Sequence, residues 1–104
     1  MALPLVSVII PTHNESGVIE RNLASLKRQT YKQIEVIVVD DGSTDSTVAK
    51  AKRFTQFVYP RSHAERSIQR NFGARKARGE YLLFLDADME AQPTVITDCI
   101  SLMR

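Results

Sequence analysis

Four short apolar runs alternate along the chain with segments in which apolar residues recur every three or four positions. The runs are rich in β-branched and aromatic residues, which favours strands, whereas the recurring spacing favours amphipathic helices. The predicted strands are Leu5–Ile10, Ile34–Val39, Phe57–Tyr59 and Glu80–Leu85. The predicted helices are a segment containing Val18 to Leu26, then Thr47–Arg53, Ala64–Ala77, and a last helix with Pro93 in its first turn.

This strict alternation of strand and helix predicts an α/β fold, with a mainly parallel Rossmann-like sheet and flanking helices. Parallel neighbours in such a sheet are joined by right-handed crossovers through the helices. The second strand, Ile34–Val39, is almost continuously apolar, as expected of a strand that is covered on both faces.

Several residues predict where these elements end or weaken. Pro11 lacks a backbone N–H and is expected to end the first strand. Ser43 or Thr44 is expected to cap the second helix. Gly73 is expected to weaken the middle of the third helix, whose apolar side includes Ile68.

The composition excludes several other classes of protein. The chain has 104 residues, 43% hydrophobic and 25% charged, with a net charge of +2, which is typical of one folded domain. Cys99 is the only cysteine, which excludes a disulfide scaffold. No apolar run approaches the roughly 18 residues of a membrane span, and no signal peptide is expected. The small positive charge does not indicate nucleic acid as a partner.

Acidic residues follow two of the predicted strands. Asp40 and Asp41 come after the second strand, and Asp86 and Asp88 come after the fourth. Parallel strands end at one edge of a sheet, so these carboxylates are expected to gather there, where a divalent cation would offset their repulsion. Carboxylate oxygens suit Mg²⁺ or Mn²⁺, and the basic helix Arg66–Arg78 nearby would complete a site for a diphosphate.

Four ordered segments resemble motifs of the family 2 glycosyltransferases. Val6–Glu15 is similar to the opening motif of that family, and Glu35–Asp45 is similar to its second motif. Arg70–Gly73 and Ala77–Tyr81 resemble the segment that leads into the metal motif. Leu85–Asp88 resembles the Asp-x-Asp metal motif itself.

The resemblance implies a GT-A type fold, of which this chain would form the N-terminal half, and a nucleotide-diphosphate sugar as donor, with a UDP-sugar favoured. It also implies metal-dependent transfer that inverts the anomeric centre. Asp41 would contact the base, Pro11 and Glu15 would line the base and ribose pocket, and Arg70 would lie near the diphosphate. The predicted nucleotide-binding residues are Pro11, Thr12, Glu15, Asp40, Asp41, Arg66, Arg70 and Asp86, and the predicted ligands of Mg²⁺ or Mn²⁺ are Asp88 and Asp86.

The family's catalytic base comes from a later motif, so it is expected beyond Arg104. Residues 1–104 are therefore expected to be the donor-binding part of a glycosyltransferase domain, truncated before the acceptor half and inactive alone. The alternative is a non-catalytic fragment that binds a nucleotide sugar. A receiver-type signalling domain is a remote alternative, because it would need a fifth strand ending in lysine.

Two expectations concern partners and location. The acceptor is an unknown glycan, lipid or protein, and the protein is expected in the cytoplasm or at the cytoplasmic face of a membrane. If the fourth strand pairs with the first, its outer edge has no neighbour, which favours pairing with another copy of the chain.

Overall fold

The computed structural model describes residues 3–61 and 66–103, with the side chain of Arg66 left out. Its sheet has four parallel strands in the order β3-β2-β1-β4, which confirms the predicted α/β fold. The elements in chain order are β1 (Val6–Thr12), α1 (Ile19–Lys27), β2 (Ile34–Asp41), α2 (Thr47–Ala51), β3 (Val58–Arg61), α3 (Arg66–Lys76), β4 (Tyr81–Phe84) and α4 (Val95–Met103).

Apolar residues fill both faces of the sheet. On one face, β1 and β2 pack against apolar residues of α1 and α4; on the other, they pack against α3. Neighbouring residues of a strand point to opposite faces, so one apolar run supplies both layers. The first face includes Val8, Ile10, Val38, Leu23, Leu26, Ile96 and Ile100, and the second includes Ile9, Ile37, Val39 and Phe72. The continuous apolar run of β2 is thereby explained.

Pro11 does not end β1, contrary to the prediction. The strand continues to Thr12, and Pro11 lies opposite Val39 of β2. The carbonyl of Ile9 accepts a bond from Leu85 just beyond β4, so the odd-numbered residues of β1 direct their backbone groups towards β4. β4 pairs no further along β1 than Ile9. The N–H that proline lacks would therefore point to a place where the pairing of β1 with β4 has already ended. No hydrogen bond between strands is lost.

The other element boundaries shift by a few residues. β2 extends through Asp40 and Asp41, and α2 ends at Ala51 instead of reaching Arg53. The predicted cap of α2 is wrong: neither Ser43 nor Thr44 caps it, and Asp45 accepts a bond from the backbone N–H of Thr47 instead.

The third helix differs from the prediction in two places. Ile68 is half exposed, so it is not part of the core. Gly73 is buried where α3 crosses the sheet, and a Cβ there would lie 2.5 Å from Cγ2 of Ile9. This glycine allows the helix to approach the sheet closely. Ala64 and Glu65, in the predicted helix, lie outside the described residues.

The fourth strand lies at the edge of the sheet beside β1, as predicted. Leu82 and Phe84 are opposite Ser7 and Ile9, which places them on the face that α3 covers over β1 and β2. Both side chains are about two-fifths exposed, at 42% and 43%. Among the described residues, no helix has the length and apolar character needed to cross a membrane.

Candidate functional site

The loops that follow β1, β2 and β4 meet at the carboxyl-terminal edge of the sheet, called the site edge below. The register sets the ends of the two central strands together, since Thr12 lies opposite Asp40. The loop after β4 begins beside Ile9, because Leu85 donates its N–H to the carbonyl of Ile9 at 3.0 Å. The strand ends that carry the acidic residues therefore lie at one edge of the sheet.

Asp40 lies beneath the site edge, with 1% of its surface exposed. Its Oδ1 accepts bonds from the hydroxyls of Thr12 and Ser43, both at 2.6 Å. Its Oδ2 accepts the backbone N–H of Ser43 at 2.9 Å. These three protein donors account for a buried carboxylate, which would otherwise be very unfavourable. Asp40 thus fixes the start of the loop after β2.

The loop after β1 is bonded to the loop after β2. Asn14 adopts a positive φ of 50°, a conformation that asparagine tolerates better than most residues. Its backbone N–H donates to the hydroxyl of Ser43 at 2.7 Å, and its side-chain oxygen accepts from Thr44 at 2.8 Å. The N–H of Glu15 donates to the hydroxyl of Thr47 at 2.8 Å. The two loops are therefore held as one unit.

The carboxylate of Asp45 also links these two loops. It accepts hydrogen bonds from the hydroxyl and N–H of Thr47 and from the N–H of Ser16. The hydrogen bond from the Thr47 hydroxyl is the largest cause that holds the pKa of Asp45 well below its usual range. The carboxylate therefore stays ionised, which favours these bonds to its oxygens.

The remaining residues predicted in the first two motifs differ in their exposure. Pro11 and Thr12 are buried, whereas Glu15 and Asp41 are only partly buried. The imidazole Nδ1 of His13 lies within hydrogen-bonding distance of the carbonyl oxygen of Asp41, so that nitrogen carries the proton. Glu15 and Asp41 are thus the members of this group with side chains that reach solvent.

The predicted metal motif forms a turn beyond β4. Ala87 is 3% exposed and belongs to the hydrophobic core, while Asp86 and Asp88 on either side of it are more exposed. One guanidinium nitrogen of Arg70, Nη2, lies 3.6 Å from Oδ1 of Asp86. The Nε of Arg70 is buried without a hydrogen-bond partner among the described residues. The structure brings two of the predicted site residues, Arg70 and Asp86, together. The side chain of Arg66 lies outside the part of the chain that the structure describes.

Two buried amides at the site edge were missed from the sequence. Gln69 donates from Nε2 to the carbonyls of Thr12 and Val39, at 3.1 and 2.8 Å, and ties α3 to both central strands. Asn22 of α1 donates from Nδ2 to the carbonyls of Asp86 and Met89. The available sequence signal was spacing: Gln69 precedes the apolar Phe72 by three residues, which puts both on one face of a helix.

The donor set at the turn fits a divalent cation that is shared with a substrate. Carboxylates of Asp86 and Asp88 suit Mg²⁺ or Mn²⁺, which commonly use one or two carboxylates together with phosphate oxygens. Within residues 3–61 and 66–103, no group of three or more histidine, cysteine, aspartate or glutamate side chains is arranged to hold a metal ion. Asp86 and Asp88 are the residues of this turn whose oxygens could hold such a cation.

A cavity of about 530 Å³ lies at the opposite edge of the sheet, away from these residues. Its lining includes Leu5, Tyr31, Phe54, Phe57 and Arg78, and none of the predicted site residues. The size of this cavity does not make it the functional site, because the predicted site residues lie at the other end of the strands.

Comparisons with known proteins agree with this arrangement. The family model described as Glycosyl transferase family 2 matches residues 7–104. An uncharacterized glycosyltransferase of Haemophilus influenzae is 37% identical over 95 residues, which are 85% of this chain and 38% of that protein.

Solved structures of similar fold include two with bound nucleotide sugars. S. aureus TarS in complex with UDP-GlcNAc has a TM-score of 0.79 and 29% identity, over 95% of this chain and 31% of that one. A mannosyltransferase from Pyrobaculum calidifontis, in complex with GDP-Man and Mn²⁺, has a TM-score of 0.70 and 33% identity, over 84% of this chain and 28% of that one. The chain thus spans between 28% and 38% of the length of these three proteins.

Proposed function

The chain belongs to glycosyl transferase family 2, and on that premise we propose that it binds the diphosphate of a nucleotide-sugar donor at the site edge. We propose that this binding serves transfer of the sugar to an acceptor hydroxyl, with inversion at the anomeric carbon. The acceptor is a glycan, a lipid or a protein. Location in the cytoplasm, or at the cytoplasmic face of a membrane, stays a prediction.

One observation carries the proposal: the turn beyond β4 bears two carboxylates, and one of them lies beside an arginine. Asp86 and Asp88 flank the buried Ala87, and the guanidinium of Arg70 lies 3.6 Å from Asp86. A cation held by the carboxylates would face a diphosphate from one side, and the guanidinium of Arg70 would face it from the other. The neighbours with UDP-GlcNAc and with GDP-Man and Mn²⁺ support this choice of ligand.

The nucleoside is assigned to the two loops that are bonded together. Asp41 would accept hydrogen bonds from the base, and Glu15 would reach the ribose or the base from the neighbouring loop. Pro11 and Thr12 would form the floor of that pocket, because both are buried at the end of β1. Asp40 would act from below, by holding Ser43 through two hydrogen bonds.

The diphosphate is the leaving group of the proposed reaction. The bond between the anomeric carbon and a diphosphate oxygen breaks, a bond to the acceptor oxygen forms, and the acceptor proton passes to a base. Mg²⁺ or Mn²⁺ bound by Asp88 and Asp86 would supply Lewis-acid stabilisation of the charge that develops on the diphosphate. Arg70 would add a fixed positive charge, and Arg66 stays a predicted contact.

Calorimetric titration of the folded chain with UDP- and GDP-sugars, in Mn²⁺ and in Mg²⁺, tests this proposal. We expect binding that requires the metal, with UDP-sugars favoured. Asp88→Ala is expected to weaken metal-dependent binding by at least about tenfold, the usual minimum effect of disturbing a metal site.

Asp98→Ala is the matched control, because it removes the same charge from an exposed position of α4. The control is expected to bind like the unmodified chain. Absence of metal-dependent binding in a folded sample, or an Asp88→Ala variant that binds as tightly as the control, would contradict the proposal.

A further inference from the structure

Three polar residues in or just after α1 face the protein interior instead of solvent. Asn22, Ser25 and Gln29 are each at most 1% exposed. Their spacing of three and four positions places them on one side of the helix and its C-terminal extension. All three bond to the segment between β4 and α4 or to the start of α4: Asn22 to Asp86 and Met89, Ser25 to Ala91, and Gln29 to Gln92 and Ile96.

Asn22 contacts both ends of the turn that carries the two carboxylates. Its Nδ2 donates to the carbonyl of Asp86 at 3.1 Å and to the carbonyl of Met89 at 2.8 Å. The turn is also closed on itself, since the N–H of Met89 donates to the carbonyl of Asp86 at 3.1 Å. A single side chain therefore fixes the backbone immediately before Ala87 and immediately after Asp88.

The orphaned oxygen of Asn22 indicates what this residue contributes. Its Oδ1 is buried and has no hydrogen-bond partner among the described residues. An unpaired buried acceptor is unfavourable, and an apolar side chain of similar size would avoid that cost. The two bonds from Nδ2 are thus the feature that favours asparagine over leucine at this position.

We propose that Asn22 is a positioning residue for metal binding: it sets the backbone of the turn from which Asp86 and Asp88 project. This inference rests on the proposed function. Outer-shell groups that orient metal ligands typically change metal affinity by 10–100-fold when they are removed. Ala87 anchors the same turn through the core, so loss of Asn22 would loosen its ends without releasing it.

The test compares Asn22→Leu with Gln29→Leu. Both variants replace a buried amide, one in α1 and one just after it, but Gln29 bonds to Gln92 and Ile96, beyond the carboxylates. Free Mn²⁺ is counted by electron paramagnetic resonance during titration of each protein in the presence of UDP. We expect Asn22→Leu to weaken Mn²⁺ binding by about tenfold or more, and Gln29→Leu to leave it within about twofold.

Hydrogen exchange gives a readout that does not require metal. In Asn22→Leu the amide of Met89 is expected to exchange faster than in the unmodified chain, whereas in Gln29→Leu the amide of Ile96 is the one affected. Should Asn22→Leu fail to fold, as judged by circular dichroism, Asn22→Ser takes its place under the same criteria. Serine is smaller and has one hydroxyl donor, so it cannot hold both carbonyls.

The outcomes separate this inference from the proposed function. In one outcome the unmodified chain binds Mn²⁺, Asp88→Ala loses this binding, and a folded Asn22 variant retains it within about twofold. That outcome overturns the positioning role of Asn22 alone. Failure of the unmodified chain to bind Mn²⁺ with UDP overturns both. Equal weakening of Mn²⁺ binding in the Asn22 and Gln29 variants also overturns the positioning role, because that result would reflect a general loss of stability.

Discussion

Asp40 and Asp41 are adjacent carboxylates whose surroundings give them different tasks. Asp40 is buried and accepts three hydrogen bonds from Thr12 and Ser43. Asp41 is only partly buried at the end of β2. We predict that Asp40→Asn lowers the free energy of unfolding by about 2 kcal/mol, because an amide nitrogen cannot accept the bonds that one carboxylate oxygen receives. Urea unfolding measures the loss.

Asp41→Asn is the comparison for that prediction. We expect a smaller loss of stability and about tenfold weaker binding of the nucleotide, since one charged hydrogen bond to the base would be lost. Equal destabilisation by the two variants would contradict the different roles assigned to them.

Glu35 is a buried carboxylate at the opposite edge of the sheet. Burial acts to raise the pKa of Glu35, but hydrogen bonds from the hydroxyl of Ser7 and from the backbone and side chain of Arg78 outweigh it and lower the pKa overall. The folded state therefore binds the proton less readily than the unfolded chain. This contribution to stability is complete above the unfolded pKa of about 4.3 and is lost as the pH falls through the folded value.

We predict that Glu35→Gln lowers the free energy of unfolding by about 2 kcal/mol near neutral pH, through loss of charged hydrogen bonds. The difference from the unmodified chain should shrink as the solution is acidified. Urea unfolding at a series of pH values measures this. Glu80→Gln removes the same charge from an exposed position and should change stability by less than about 0.5 kcal/mol. A constant difference across the acid range would contradict the assigned role.

At the scale of elements, the packing of α3 on the sheet depends on Gly73. Replacing glycine by alanine inside a helix usually stabilises it by roughly 0.5–1 kcal/mol. Here the new Cβ would lie 2.5 Å from Cγ2 of Ile9 and 3.3 Å from Cγ2 of Val39. We predict that Gly73→Ala instead lowers the free energy of unfolding by about 1–3 kcal/mol, the usual cost of overpacking.

Gly17→Ala is the matched control for that prediction. No described heavy atom lies within 4 Å of the position that its Cβ would occupy. Thermal unfolding of both variants should show a loss for Gly73→Ala and little change for Gly17→Ala. A stabilised Gly73→Ala protein would mean that Ile9 moves aside easily.

The existence and order of the elements could be predicted because each has a local cause. Apolar runs and helical spacing identify strands and helices without reference to the rest of the chain. The errors arose where a distant segment decides the outcome. Pro11 stays in β1 because β4 pairs only as far as Ile9, and Gly73 is required because Ile9 lies beneath it. Neither fact is visible in the residues around Pro11 or Gly73.

At the scale of the molecule, the strand ends indicated where the candidate site lies, because the carboxyl ends of parallel strands lie at one edge of a sheet. The acidic residues at the end of β2 and just beyond β4 are therefore expected at one edge of the sheet without any knowledge of side-chain contacts. The supporting bonds could not be predicted, since they join residues far apart in sequence. Gln69 reaches Thr12, and Asn22 reaches Met89, across 57 and 67 positions. Polar residues in a helix ordinarily indicate a solvent-facing side, so these two were overlooked.

The last feature of the whole molecule is the open side of β4. Within residues 3–61 and 66–103 this strand pairs only with β1, and Leu82 and Phe84 remain 42% and 43% exposed on the face where α3 covers the neighbouring strands. An unpaired strand edge with exposed apolar side chains favours pairing with another chain. We predict that residues 1–104 self-associate through β4, with a sedimentation coefficient that rises with concentration.

A Leu82→Lys, Phe84→Lys double variant tests which surface is responsible. Charge on both side chains should keep the chain monomeric, because burying two lysines in the contact would be unfavourable. Leu102→Lys is the control, since Leu102 is more exposed, at 88%, but lies on α4. Sedimentation velocity should show association in the control and its loss in the double variant. A stable monomer at high concentration in the unmodified chain would show that the edge of β4 is protected without a partner.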